Sequence, residues 1–163
     1  MSSYGAISTP VGLVGVVSDG VAITRVFWRT DADAGVDLGD ALLQEALSQL
    51  DAYFSGRLKS FDLPIDLGRQ TEVTRGVLAA LHETVAYGES VTYGELAARS
   101  GTEVPARGIG AIMGANPIPL IVPCHRVVAS DGLGGYSGGA AGQGLLTKRW
   151  LLEHEGALPA ALF

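Results

Sequence analysis

The sequence predicts an α+β chain whose first seventy residues mix strands with one helix and whose remainder is mainly helical. Three observations carry this. Short apolar runs separated by Pro-x-Gly and Asp-Gly turn signals occupy the beginning of the chain. From residue 73 onward apolar residues recur at helical spacing. Between the two lies the polar stretch Gly68-Arg-Gln-Thr71, suited to a linker, so the expected units are residues 1–70 and 71–163.

The elements follow in order. Ala6–Thr9 and Leu13–Val17, separated by Pro10-Val-Gly12, form a strand pair, and Asp19-Gly20 turns into a third extended run, Val21–Trp28. Asp31–Leu38 is polar and loop-like. Asp40–Phe54 carries Leu42, Leu43, Ala46, Leu50 and Tyr53 at helical spacing and is closed by Gly56. Phe61–Leu67 is a further extended segment. In the second half Val73, Val77, Ala80, Leu81 and Val85 make one apolar stripe that ends at Tyr87-Gly88. Thr92-Tyr-Gly-Glu95 has capping-box spacing and starts a helix over Tyr93–Arg99, stopped by Ser100-Gly101. Pro105 suits the first turn of the next helix, Ala106–Ala115, which ends before Asn116-Pro117. Two short helices around a Gly-containing turn fit a helix-turn-helix and an ordinary helical hairpin equally well. The last helix, Leu145–Gly156, is capped by Gly156.

Composition bounds the function. Among 163 residues, 47% are apolar and 17% charged, enough for a sizeable core and unlike a disordered chain. No run approaches twenty apolar residues, no basic-then-apolar leader opens the sequence, and there is one cysteine, which together favour a reducing cytoplasm. The net charge of −6 opposes a general nucleic-acid binder, since phosphate affinity rests on Lys and Arg. Residues 1–70 hold 5 basic and 9 acidic side chains, residues 71–163 hold 6 and 8, so neither half is basic. Any DNA contact must then come from local geometry and helix N-termini rather than from bulk field.

The chemistry concentrates around that cysteine, in Asn116-Pro-Ile-Pro-Leu-Ile-Val-Pro-Cys-His-Arg-Val-Val128. A lone thiol makes neither an internal disulfide nor a multi-thiol metal site, leaving burial as an inert core residue or reactivity. His125 supplies an imidazole base next to Cys124, yet flanking prolines favour extended backbone, on which neighbours point to opposite sides. A water between thiol and imidazole, with a carboxylate behind the imidazole, resolves that geometry. Glu153 and Glu155 are the candidates, because both stand at the negative end of the last helix, where a carboxylate is disfavoured unless partnered. Arg107-Gly-Ile-Gly-Ala-Ile-Met-Gly-Ala115 carries three glycines, each costly in a helix, which suits close approach of a partner to its backbone. Ser130–Gly139, with five glycines around Tyr136 and Ser137, suits a loop folding over a flat ring better than a phosphate cradle.

These residues resemble a known family. Pro123-Cys-His-Arg126, preceded by Asn116-Pro-Ile-Pro119 and followed by Gly135-Tyr-Ser-Gly-Gly139, is similar to the O6-alkylguanine-DNA alkyltransferases. Val73-Thr-Arg, Gly88-Glu-Ser-Val-Thr-Tyr93, the Arg107 helix and Leu151-Leu-Glu-His-Glu-Gly156 extend the likeness over about residues 71–156. Residues 1–70 match in kind, as the family's small ribonuclease-H-like module. The resemblance implies DNA repair by a protein used once: it binds duplex DNA through a helix-turn-helix in the minor groove and flips the damaged base out. The alkyl group on O6 of guanine, or on O4 of thymine, then passes irreversibly to Cys124. It implies His125 as base through water, Glu155 as its orienting partner, and Tyr93 as flipping aid and proton donor. Arg107 takes the place of the extruded base, and Asn116 braces the turn. The Val127 carbonyl and Ser137 read the guanine edge, and Met113, Pro119 and Tyr136 line the pocket.

The resemblance further implies no cofactor, no metal and no membrane association, with double-stranded DNA containing O6-alkylguanine as partner of a monomer. The expected place of action is a bacterial-type cytoplasm, on the nucleoid. Departures are Ala79, where an aromatic commonly stands, and Gly114-Ala115, where many members carry basic residues; the latter implies weak, salt-sensitive DNA binding. The loop Ala140-Ala-Gly-Gln-Gly144 is slightly longer than usual, and the zinc site of some relatives lacks its cysteines. Two alternatives differ in kind: a non-catalytic module that binds alkyl lesions, and a Cys-His-Glu hydrolase.

Overall fold

The computed structural model describes residues 2–29 and 37–158. Strands β1 (Ser3–Thr9), β2 (Gly12–Ser18) and β3 (Ile23–Arg29) form an antiparallel sheet in the order β1-β2-β3. The first turn is built as expected, with Thr9 Oγ1 donating to the Gly12 carbonyl at 2.6 Å and Gly12 at φ +111°. β3 begins later than the sequence suggests. Asp19 Oδ1 accepts from the amides of Val21 and Ala22, which holds Val21 in the turn and exposes it. Most of the predicted loop Asp31–Leu38 lies outside the described residues.

Helix α1 (Ala41–Phe54) starts one residue after the expected Asp40, because that carboxylate is the N-cap and accepts from the Leu43 amide at 3.0 Å. α1 packs on the sheet with Leu43, Ala46, Leu47 and Leu50 buried, while Tyr53 near its end is buried toward Glu155. The extended segment around Ile65 bridges β3 in parallel at Ile23, completing a small α+β layer.

Helix α2 (Glu72–Thr84) is capped by Thr71 and buries Val77, Leu78 and Leu81; Val73, assigned to the stripe from spacing, is exposed in the first turn. A two-residue strand β4 (Val91–Thr92) leads into α3 (Tyr93–Ser100), whose Thr92–Glu95 capping box is complete and whose end is closed by Gly101 at φ +68°. After a short connection comes α4 (Ala106–Gly114). Pro105 stands just outside its first turn, with its carbonyl accepting from Gly108 and Ile109. β5 (Val127–Val128) pairs in parallel with β4, so the start of α3 is tied to the strand that follows Cys124. Helix α5 (Gly144–His154) closes the fold.

Both halves feed one contiguous core, from Val14 and Leu43 through Leu78 and Leu96 to Ile118, Cys124 and Leu151. β3 touches the cysteine-bearing segment directly: the Val26 amide donates to the Pro117 carbonyl at 3.1 Å. Among the described residues no helix is long and apolar enough to cross a membrane.

Candidate active site

The Cys124 segment is shaped by its prolines and by Asn116. The Asn116 side chain spans the turn, Nδ2 donating to the Val122 carbonyl at 2.8 Å and Oδ1 accepting from the Ile118 amide at 3.0 Å. Inside this turn Leu120 adopts φ +74°, a costly conformation for a branched side chain that its nearly complete burial holds in place. The extended backbone expected at Cys124-His125 is not what forms. Pro123 sits at φ −82°, ψ 67°, and the Cys124 amide donates to the Val122 carbonyl at 2.8 Å, the geometry of an inverse γ-turn. Cys124–Arg126 then winds into one 3-10 turn, with the Arg126 amide on the Pro123 carbonyl. The proline ring fixes φ within the range a γ-turn needs, which is why the chain tightens here rather than extends.

Even so, His125 does not bond to Cys124. Its Nε2 lies 2.8 Å from Glu155 Oε2, and its Nδ1 is buried without a protein partner. An ionised carboxylate only accepts, so Nε2 carries the proton and Nδ1 holds the basic lone pair. Burial lowers the His125 pKa, against the pull of Glu155, so the ring is neutral near pH 7. Glu155, one of two carboxylates suspected at the helix end, is the buried one; Glu153 is half exposed. Burial alone would raise its pKa, but hydrogen bonds from His125 and Arg126 outweigh that and hold it at about 2. Arg126 reaches it with Nε and Nη2, and Tyr53 adds a hydroxyl.

Cys124 lines a cleft of about 430 Å³ together with Tyr93, Gly110, Met113, Tyr136 and Ser137. Pro119 and Asn116 line a neighbouring cleft of about 410 Å³ that also borders Cys124 and Ser137. The glycines of α4 divide in purpose. Gly110 and Gly114 wall the cleft, whereas a Cβ on Gly108 would meet Val104 at 2.6 Å, so that glycine serves packing. Gly134 permits another close approach, since at φ +73° its Cβ would lie 2.6 Å from the Tyr93 hydroxyl. The Tyr136 hydroxyl is buried without a protein partner, and Ser137 Oγ donates to the Gly114 carbonyl at 3.3 Å. Arg107 is exposed on the first turn of α4, away from these clefts.

Sequence reasoning missed Lys148. It is fully buried, donating from Nζ to the Val127 carbonyl at 2.7 Å and the Gly135 carbonyl at 2.9 Å. The Val127 carbonyl, expected to face the substrate, therefore already accepts one bond; its second lone pair can accept another. Burial lowers the Lys148 pKa to about 8, and the nearby Cys124 opposes the fall. Burial pushes the Cys124 thiol up, while the Asn116 side chain and the Lys148 charge favour thiolate. A signal was present: Lys148 precedes Leu151 and Leu152 by three and four positions, a charge on the apolar face of α5. Among the described residues no group of three or more His, Cys, Asp or Glu is placed to hold a metal ion.

The arrangement sets one thiol at the edge of a cleft, next in sequence to a neutral imidazole whose tautomer is fixed by a buried carboxylate. Residues 72–157 match the family model for the DNA-binding domain of 6-O-methylguanine DNA methyltransferase, and residues 3–67 match that for its ribonuclease-like domain. A methylated-DNA–protein-cysteine methyltransferase of Mycobacterium tuberculosis is 38% identical over 95% of this chain and 93% of that protein. The one of Homo sapiens is 40% identical over 77% of this chain and 61% of that protein. The crystal structure of the M. tuberculosis O6-methylguanine methyltransferase superimposes with a TM-score of 0.80 at 36% identity, covering 99% of this chain and 98% of that one. The same mycobacterial protein in complex with DNA gives 0.80 at 38% identity, covering 94% and 92%.

Proposed function

The chain belongs to the 6-O-methylguanine DNA methyltransferase family, and from that premise we propose that it repairs DNA by moving an alkyl group from O6 of guanine, or O4 of thymine, onto Cys124. The observation that carries the reading is the disposition of three groups. The only thiol of the chain lines the cleft, while His125 turns its protonated nitrogen to Glu155 and leaves Nδ1 free to accept.

The roles follow from that disposition. The Cys124 proton passes through a water to His125 Nδ1, a route favoured because the two side chains do not bond directly. Sulfur attacks the alkyl carbon; an S–C bond forms as the C–O6 bond breaks, and the bonding pair stays on the guanine. Tyr93, at the cleft and the first residue of α3, supplies the proton that guanine takes up. Lys148 and Asn116 favour thiolate against the cost of burial. Met113, Pro119 and Tyr136 hold the base and its alkyl group, and the Val127 carbonyl and Ser137 read its edge. The thioether has no route of hydrolysis in this scheme, so each chain reacts once.

DNA binding falls to α3 and α4 as a helix-turn-helix in the minor groove, with the exposed Arg107 filling the place of the flipped base. The two domains are residues 1–70, ribonuclease-H-like, and 71–163, with the site. The site's groups come from one chain, which supports action as a monomer, and its substrate places it on the nucleoid in the cytoplasm. Incubation with duplex containing O6-methylguanine, followed by peptide mass mapping, tests the reading: one methyl on the Cys124 peptide is expected. A hydrolase would instead release product repeatedly, and a binding module would leave both lesion and thiol unchanged.

A further inference from the structure

Glu155 is held from both halves of the chain. His125 and Arg126 reach it from the second half, and Tyr53, near the end of α1, reaches it from the first. The Tyr53 hydroxyl donates to Oε2 at 2.5 Å, across 102 positions of sequence. The ring is 1% exposed, edge-on to Phe54, Tyr87 and His154 at centroid distances of 5.1, 6.2 and 5.3 Å. His154 Nε2 meets the Tyr53 backbone carbonyl at 2.7 Å. Two consecutive residues at the end of α5 thus hold one tyrosine, one by its backbone and the other by its hydroxyl.

Packing explains the ring but not the hydroxyl, which a phenylalanine would omit without loss of volume. The hydroxyl shares Oε2 with His125 and with Arg126 Nη2, while Oε1 receives Arg126 Nε alone. A donor on that oxygen draws carboxylate charge away from the imidazole. We infer that Tyr53 is a positioning residue for alkyl transfer, fixing Glu155 Oε2 and thereby setting the proton affinity of His125. The inference rests on the function proposed above, and it makes the first domain part of the reactive centre.

The sign is definite. Without the hydroxyl, Oε2 accepts more strongly from His125, the imidazolium is better stabilised, and His125 titrates at higher pH. The other groups facing the pair stay in place: Arg126 and Lys148 as cations, Tyr87 and Tyr136 as phenols, Cys124 as thiol, and His154 beside Glu155.

The test is full-length Tyr53→Phe, assayed for methyl transfer from O6-methylguanine duplex between pH 5 and 9, with the His125 ring followed by nitrogen NMR. The acid limb should move up by about half a unit to one unit, with the rate on that limb about three- to tenfold lower and the His125 titration displaced the same way. 3-Fluorotyrosine at position 53, a stronger donor, should move both in the opposite direction. Phe54→Leu, in the same helix as Tyr53, loosens the contact with Trp150 of α5 and should lower thermal stability and leave the limb in place. Superimposable profiles and titrations for Tyr53→Phe, no movement with fluorotyrosine, or an equal shift in Phe54→Leu would each overturn the inference. Wild-type protein that transfers no methyl to Cys124 would instead sink the reading of function, and the NMR titration would still decide the role of Tyr53.

Discussion

The Arg126 guanidinium grips the Glu155 carboxylate with two nitrogens, Nε 2.8 Å from Oε1 and Nη2 3.2 Å from Oε2, both side chains sealed from solvent. This buried pair locks the 3-10 turn carrying the thiol to the end of α5. A third donor, Arg126 Nη1, caps the Val85 carbonyl just after α2. Removing one member of such a pair leaves a charge without water or partner, which costs about 3–5 kcal/mol. Glu155→Gln should therefore lower unfolding free energy by roughly that amount in urea. A loss under about 1 kcal/mol would mean the pair is solvated rather than buried.

Acid should unfold this protein through the same residues. The Glu155 pKa is depressed in the fold, so its contribution is complete above its ordinary 4.5 and is lost as pH falls toward about 2. That displacement corresponds to roughly 3 kcal/mol. The His125 pKa is lowered as well, so its share is complete above 6.5 and fades below it. Thermal midpoints should stay level near neutrality and fall progressively below pH 6.5. A midpoint that rises on acidification would contradict the assignment.

Much of this was legible in sequence, for local reasons. Thr92 and Glu95 announce their capping box because both partners lie within one turn. Glu155 draws suspicion because a carboxylate opposes its own helix end. The backbone at Cys124 departs from the extended expectation because the three prolines of one segment act differently: Pro117 and Pro119 lie in an irregular turn, while Pro123 forms a γ-turn that starts a 3-10 turn. Tyr53 and the pairing of Arg126 with Glu155 were not legible, since their partners lie 102 and 29 positions away and only the tertiary fold brings the end of α1 and the Cys124 turn to the end of α5.

Lys148 is the cation that favours Cys124 thiolate, and burial has lowered its pKa only to about 8, so it is charged at neutral pH. Lys148→Met should keep the apolar packing, free the Val127 and Gly135 carbonyls, and raise the thiol pKa. Transfer at pH 7 should slow by about tenfold, with the rate still climbing above pH 8. An unchanged rate–pH profile would remove Lys148 from the reactive centre.

Arg107 is exposed and away from the cleft, so its part should be confined to DNA. Arg107→Ala should slow repair of a lesion in duplex by about 1–3 kcal/mol of lost contact and unstacking energy, yet leave reaction with the free alkylated base unchanged. Equal loss on both substrates would place Arg107 at the reacting atoms instead.

The account turns on Cys124 being consumed. Titration of a fixed amount of protein with excess O6-methylguanine duplex, counting repaired lesions against methylated Cys124 peptide, tests this most directly. One repaired lesion and one methylated cysteine per chain, with no further repair over time, is the expected result. Repair that continues beyond one lesion per chain, or repair with an unmodified Cys124, would contradict it.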